Sequence, residues 1–218
     1  MRRARRRHRR RGDGRARRGR RPAGEVRRRL RRRDRPQRAH LPREPEPPVT
    51  GTRPVVVVVG PPGAGKTTVA ELLADRLGVR VRDTDQDVEA NEGETVQDIF
   101  VSRGEPVFRE LEAAAVAEAL RTHDGVLALG GGAVMDEGTR AQLAEHTVAH
   151  LDVGLAHAAA RVGMNSGRPL LMGNIRGQLK KLMDARRPLY NEVATFTIDT
   201  NDLTPDEVVD RVLKELGR

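Results

Sequence analysis

The sequence predicts an α/β fold: a five-stranded parallel sheet with helices on both faces, preceded by a disordered Arg-rich tail. Three observations lead there. Val55–Val59 is a run of five valines, the pattern of a strand buried on both faces, as strands of parallel sheets are. Short apolar runs then alternate with helical periodicities to the end of the chain, which packs as a sheet wrapped by helices. Charge also divides the 218 residues. Residues 1–53 hold 23 of the 41 basic residues, all Arg, and five of the 31 acids, for a charge of +18. Residues 54–218 carry −8. The overall pI of about 11.1 therefore describes the tail, and the whole chain is not read as a basic nucleic-acid binder.

Each element has its own signal. Thr67–Leu77 spaces Val69, Leu72, Leu73 and Leu77 as one helix face, with Gly78 as its stop. Val79–Arg82 is a short strand, and Asp85–Glu92 a helix. Thr95–Ser102 sets Val96, Ile99 and Phe100 on one face. Glu105–Leu120 is a long Ala-rich helix opened by Glu-Pro. Val126–Leu129 is a buried strand closed by Gly130–Gly132. Asp136–Ala144 reads as helix, Val148–Leu151 as strand and Leu155–Val162 as helix. A polar stretch with glycines, 163–169, follows. Ile175–Arg186 is helix, Thr195–Ile198 the fifth strand, and Pro205–Leu216 a final helix with Thr204 as N-cap.

Composition excludes several classes. The chain has no Cys, so disulfide frameworks and thiolate zinc sites are out. Its six His show no ligand clustering. No apolar run approaches the roughly 20 residues of a membrane span, and the N-terminus lacks a signal-peptide h-region. A soluble, cytoplasmic protein is expected. All four aromatics lie outside the tail, so the core is mostly aliphatic, and Phe108 and Tyr190 are read as packing residues.

Gly60-Pro-Pro-Gly-Ala-Gly-Lys-Thr67 matches G-x-x-x-x-G-K-[ST] between a buried strand and a helix, the context that confirms a phosphate loop. Gly63 and Gly65 let backbone N–H groups curl around a phosphate, and the helix start adds its positive end. Gly63, Ala64, Gly65, Lys66, Thr67 and Thr68 are thus the ATP-binding candidates. Lys66 is a charge for the β- and γ-phosphates, and the Thr67 hydroxyl is a Mg²⁺ ligand. The chain lacks the Asn-Lys-x-Asp of a GTPase, and strand 126–129 ends in glycines where an ATPase would place an Asp. Asp83-Thr84-Asp85, at the carboxyl edge of the sheet, is the remaining source of carboxylates. Asp83 and Asp85 can equally be a helix cap and a charged first turn.

Taken together, the phosphate loop, Asp83-Thr84-Asp85, Phe108-Arg109-Glu110-Leu111-Glu112, Leu129-Gly-Gly-Gly-Ala133, Arg168-Pro-Leu-Leu171 and Arg186-Arg-Pro-Leu-Tyr190 resemble the shikimate kinase family over essentially all of 54–218. The resemblance implies a P-loop kinase fold like that of the nucleoside monophosphate kinases. It implies a substrate-binding segment about 84–115, a lid about 163–174, and transfer of phosphate from ATP to the 3-hydroxyl of shikimate, with Mg²⁺ as cofactor. It further implies that Arg109 and Arg186 clamp the substrate carboxylate, a pairing that suits a guanidinium fork. Gly131 then offers backbone to the substrate, Asp85 binds ring hydroxyls and accepts the attacking proton, and Asp83 stands near Mg²⁺ through water. Arg168 closes over the phosphates as a catalytic lid residue. Arg187 is read as solvated.

Three departures from the family pattern stand out. Met164 takes a position commonly small in family lids. Asp202 falls where a basic residue often lies near adenine. The extension 1–53 has no counterpart in that pattern. Arg109 could instead merely pair with Glu105 or Glu112 on its helix.

Two other readings stay open: a gluconate- or nucleotide-kinase relative, and a polyanion binder that uses the tail. Phe108-Arg109 with Gly130–Gly132 argues against a nucleotide kinase. Too few large apolar residues lie in 1–53 to offset chain entropy, and 41–48 reads as a stiff Pro-rich linker. Salt-dependent polyanion binding, a targeting role (disfavoured by the absence of Ser) and translation from an upstream start are its alternatives, the last or a functionless extension being preferred. The domain 54–218 is expected to bind no nucleic acid or membrane and to act as a monomer.

Overall fold

The computed structural model describes residues 53–165 and 173–218. The tail 1–52 and most of the expected lid, Arg168 included, lie outside the described residues.

Five strands form one parallel sheet in the order β2-β3-β1-β4-β5. They are β1 (Val56–Val59), β2 (Val81–Asp83), β3 (Val126–Ala128), β4 (Val148–Asp152) and β5 (Phe196–Asp199). The valine run lies at the centre, Val57 pairing with Leu127 on one side and Val148 on the other. Because successive side chains alternate faces, Val56 and Val58 enter one core and Val57 and Val59 the other.

The first core is closed by α1 (Lys66–Leu77), α6 (Leu155–Asn165), the front half of α7 (Gly173–Val193) and α8 (Pro205–Glu215). The second is closed by α4 (Glu105–Thr122), α5 (Glu137–Leu143) and the back half of α7. A third, small cluster of Val88, Ile99, Phe108 and Ala115 joins α2 (Thr84–Glu92) and α3 (Val96–Ser102) to α4. Among the described residues no helix is long and apolar enough to cross a membrane.

The expected helices form with ends shifted by a residue or two, except the sixth, which runs three residues past Val162 into the expected polar stretch, and the seventh. The sequence ends the seventh at Arg186 ahead of Pro188, whereas α7 runs on to Val193. Proline removes one donor and leaves the carbonyl of Asp184 without a helical partner. Asp184 is exposed, which lowers the cost of the lost bond, while Tyr190 and Val193 beyond the proline are buried. That packing holds the last turns.

Helix starts separate structure from ligand binding. Asp83, Thr95, Asp136 and Thr204 cap α2, α3, α5 and α8 with side-chain oxygens, and Thr204 with Glu207 completes a capping box. Helix α1 has neither a side-chain cap nor an acid in its first turn. Its first N–H groups are left for an anion.

Candidate active site

The strand ends place the candidates along the carboxyl edge of the sheet, where ligands of open α/β sheets bind. The phosphate loop leaves β1. Gly63 and Gly65 take φ of +80° and +89°, a region costly for any residue with a Cβ. At Gly63 a Cβ would also lie 2.8 Å from the Ala158 carbonyl oxygen, so the loop rests directly on α6. Beside it lies a cavity of about 560 Å³ lined by Gly63–Val69, Arg161, Thr200, Leu203, Pro205 and Val208.

Half-buried Lys66 directs Nζ to the carbonyl of Pro61 at 3.3 Å. Burial pulls its pKa down, and the carboxylates of Asp85 and Asp83 oppose that shift. Thr67 Oγ1 donates to Asp83 Oδ2 at 3.1 Å, while Asp83 Oδ1 accepts the N–H of Asp85 at 3.0 Å. Asp83 is therefore both the helix cap and the partner of the phosphate-loop hydroxyl.

Asp85 differs from every other carboxylate around it. Its Oδ1 is buried with no hydrogen-bond partner. Burial, with Asp83 and Glu112 nearby, pushes its pKa up to about 6.

Gly130–Gly132, after β3, explains how these groups crowd together. A Cβ on Gly130 would fall on Asp85 Oδ1 and Glu112 Oε1, and one on Gly132 on the Arg109 guanidinium. On Gly131 it would stand 3.8 Å from Lys66 Nζ. The three glycines thus let Asp85, Glu112 and Arg109 approach the phosphate loop. The Thr84 hydroxyl, accepting from Gly130 N at 3.1 Å, ties the turn to α2.

Arg109 makes the intrahelical pairs its sequence allows. Nε and Nη2 donate to Glu105 Oε1 at 3.2 and 2.9 Å, and Nη1 to Glu112 Oε2 at 2.5 Å. The two partners are not alike: the Glu105 side chain is 53% exposed and that of Glu112 is 3% exposed. Burial pushes the Glu112 pKa up, and Arg109 draws it back. The guanidinium also lies over the rings of Phe100 and Phe108, 5.7 and 5.2 Å from their centroids.

Arg186 donates to the carbonyl of Gly131 at 2.9 Å. Arg187, read as solvated, is exposed and pairs with Asp152 at 2.5 Å. Asp202 is exposed and lies 3.7 Å from His157 Nε2.

Sequence reasoning missed Arg161. Its guanidinium holds the Gly63 carbonyl at 3.2 Å, Thr200 Oγ1 at 3.2 Å and the Thr200 carbonyl at 2.7 Å. It belongs to no contiguous motif, so only the three-dimensional meeting of α6, the phosphate loop and the end of β5 reveals it. Glu112 was visible as an i+3 partner of Arg109, but its burial was not.

A phosphate loop on a five-stranded parallel sheet, with a buried carboxylate and arginines facing it, defines a P-loop phosphotransferase acting on a small molecule. A family model described as shikimate kinase matches residues 62–217. Curated shikimate kinases from Thermobifida fusca and Saccharopolyspora erythraea are 53% and 57% identical over 165 and 164 residues. These alignments span 76% and 75% of this chain, and 96% and 94% of the relatives. A solved shikimate kinase from Acinetobacter baumannii in complex with shikimate matches with a TM-score of 0.70 at 34% identity, over 76% of this chain and 93% of that one. The chain belongs to the shikimate kinase family, the ATP-dependent kinases that phosphorylate shikimate.

Proposed function

We propose that residues 54–218 transfer the γ-phosphoryl group of ATP to the 3-hydroxyl of shikimate through the side chains brought together at Gly130–Gly132. The carrying observation is the buried, unpartnered Oδ1 of Asp85 beside Lys66 and Glu112. A buried acceptor without a donor is costly, and a substrate hydroxyl is a donor of the right kind.

ATP binds with its phosphates against the N–H groups of the phosphate loop and α1. Lys66 neutralises charge on the β- and γ-phosphates. The Thr67 hydroxyl and the Asp83 carboxylate are hard oxygen donors that already meet, which suits an ion held by few protein groups plus phosphates. When bound there with ATP, Mg²⁺ supplies further neutralisation of phosphate charge.

Asp85 orients the attacking hydroxyl. As oxygen bonds to the γ-phosphorus and the bridge to the β-phosphate breaks, the hydroxyl proton passes to Asp85. A pKa near 6 leaves the carboxylate mostly ionised at neutral pH while making it a better base than an ordinary Asp. The substrate carboxylate takes the Glu105 side of Arg109, because that exposed pair is worth only tenths of a kcal/mol. Glu112 and the two rings keep the guanidinium in place meanwhile, and Arg186 completes the clamp. Arg168, within a lid at 163–174, closes over the phosphates and excludes water. The domain works as a monomer in the cytoplasm, with 84–115 as its substrate-binding segment and 1–53 dispensable.

The test is ADP release by chains 1–218 and 54–218 with shikimate, quinate, gluconate and AMP as acceptors. Equal shikimate-dependent release by both is expected. ATP binding with no release on shikimate would remove the acceptor assignment, and release by 1–218 alone would make the tail part of the enzyme.

A further inference from the structure

Tyr190 is 1% exposed in the core beneath the site, so it touches no substrate. Its ring stacks on His150, with centroids 5.1 Å apart, and packing alone would account for a phenylalanine there. The hydroxyl needs a separate reason. It donates to the carbonyl of Gly131 at 2.5 Å, the same oxygen that accepts Arg186 Nη1 at 2.9 Å. The guanidinium and the phenol thus share one acceptor oxygen. Residues 186 and 190 are four apart on α7, so both side chains leave one face of the helix. A triangle of Tyr190, Arg186 and the Gly131 carbonyl results.

The triangle fixes one peptide plane. The Gly131 carbonyl shares its plane with the N–H of Gly132, which points the opposite way. Without side chains to lock it, a Gly-Gly peptide turns easily. Two donors on one carbonyl hold it. Among the described residues no protein group accepts the N–H of Gly131 or Gly132. Burial pushes the Tyr190 pKa up to about 12, so the phenol remains a donor across the working pH range.

We infer that Tyr190 is a positioning residue for the acceptor: its hydroxyl locks the Gly131–Gly132 peptide and steadies Arg186, which presents backbone N–H and guanidinium to the bound substrate. This role rests on the reading of Gly131 and Arg186 as acceptor-binding groups.

Steady-state kinetics of full-length Tyr190→Phe test it, with Val193→Ala as a packing control. Val193 is 8% exposed in the same core cluster, and its side chain carries no hydrogen-bond donor or acceptor. Removing the hydroxyl should raise the shikimate KM roughly five- to twentyfold, with the ATP KM within about twofold and the protein still folded. Val193→Ala should lower the melting temperature and leave the shikimate KM unchanged.

An unchanged shikimate KM in Tyr190→Phe, or an equal rise in Val193→Ala, would overturn the role while the wild type still phosphorylates shikimate. A wild type that binds ATP and ignores shikimate would sink the acceptor reading, and this role with it.

Discussion

The phosphate loop 60–67 and the proposed acceptor wall of Asp85, Arg109, Glu112 and Gly130–Gly132 meet at Lys66, yet one is made mainly of backbone and the other of side chains. The loop needs three positive-φ glycines, an uncapped helix start and one lysine. It sits on the largest core, through β1 and α1. The wall draws on α2, α4 and the end of β3, and rests on the small cluster around Phe108. Phosphate is the same in every nucleotide, so one rigid backbone cradle serves. A particular small anion with hydroxyls needs individually placed charges, and those have to be held by other charges.

The backbone half should break most completely. Lys66→Ala should lower kcat on the order of 10³-fold or more, because a charge aimed at the transferring phosphoryl group is lost. ADP release at saturating substrates measures it, and a loss under tenfold would remove Lys66 from the transfer step. Gly63→Val tests the cradle itself. Its side chain would meet the Ala158 backbone, so ATP affinity and melting temperature should fall together.

Next comes the pivot of the wall. Asp85→Asn should cost about 10²- to 10⁴-fold in kcat if the carboxylate is the base. In the wild type kcat/KM should fall as pH drops through about 6, where Asp85 gains its proton, and the variant's residual activity should lose that limb. Stability should move the other way. The folded pKa lies above the ordinary Asp value, so the folded state binds the proton more tightly. Stability therefore rises as pH falls from about 6 toward 4, and the ionised group opposes folding at neutral pH by on the order of 2–3 kcal/mol. Asp85→Asn should then melt a few degrees higher at pH 7. An inactive variant no more stable than the wild type would mean the carboxylate is not strained where it sits.

The contrast between the halves also explains what could be read without coordinates. The loop is contiguous, so strand, glycines, lysine and helix announce one another within a dozen residues. The alternation of strands and helices was equally plain, because burial on both faces forces β1 and β3 to be apolar throughout. The wall was legible only as an ordered set of fragments carried by a family resemblance. Arg109 looked as apt for a surface pair as for a substrate, and the structure gives it both intrahelical partners. What separates those partners is burial, which spacing on one helix does not reveal. Arg161 and the Tyr190 hydroxyl were hidden because their partners, Thr200 and Gly131, lie 39 and 59 residues away. The seventh helix runs past Pro188 for a local reason, since tertiary packing of Tyr190 and Val193 outweighs one lost helical bond.

Within the wall, Arg109→Ala should weaken shikimate binding by roughly 1.5–3 kcal/mol, the worth of hydrogen bonds to a charged group. Glu112→Gln sharpens the point. It keeps the shape and an acceptor oxygen but removes the buried anion, so Arg109 loses its charge-assisted anchor at 112. The shikimate KM should rise by less than in Arg109→Ala, with the ATP KM unchanged. Equal losses in the two variants would mean Glu112 itself meets the substrate.

The smallest effect should come from the residue next to one of the largest. Arg186 and Arg187 are neighbours on α7, so their side chains diverge by about 100° around the axis. Arg186 points to the Gly131 carbonyl, and Arg187 to Asp152 at the end of β4. The Arg187 side chain is 45% exposed, and Asp152 keeps a second partner, the N–H of Val153 on Oδ1 at 2.9 Å. Losing such a pair is worth at most about 1 kcal/mol, and no buried charge is stranded by it. Arg187→Ala should therefore leave kcat and both KM values within about twofold, while Arg186→Ala loses shikimate affinity. If the two variants exchange these behaviours, the clamp is built from Arg187, and the Gly131 triangle serves the fold rather than the substrate.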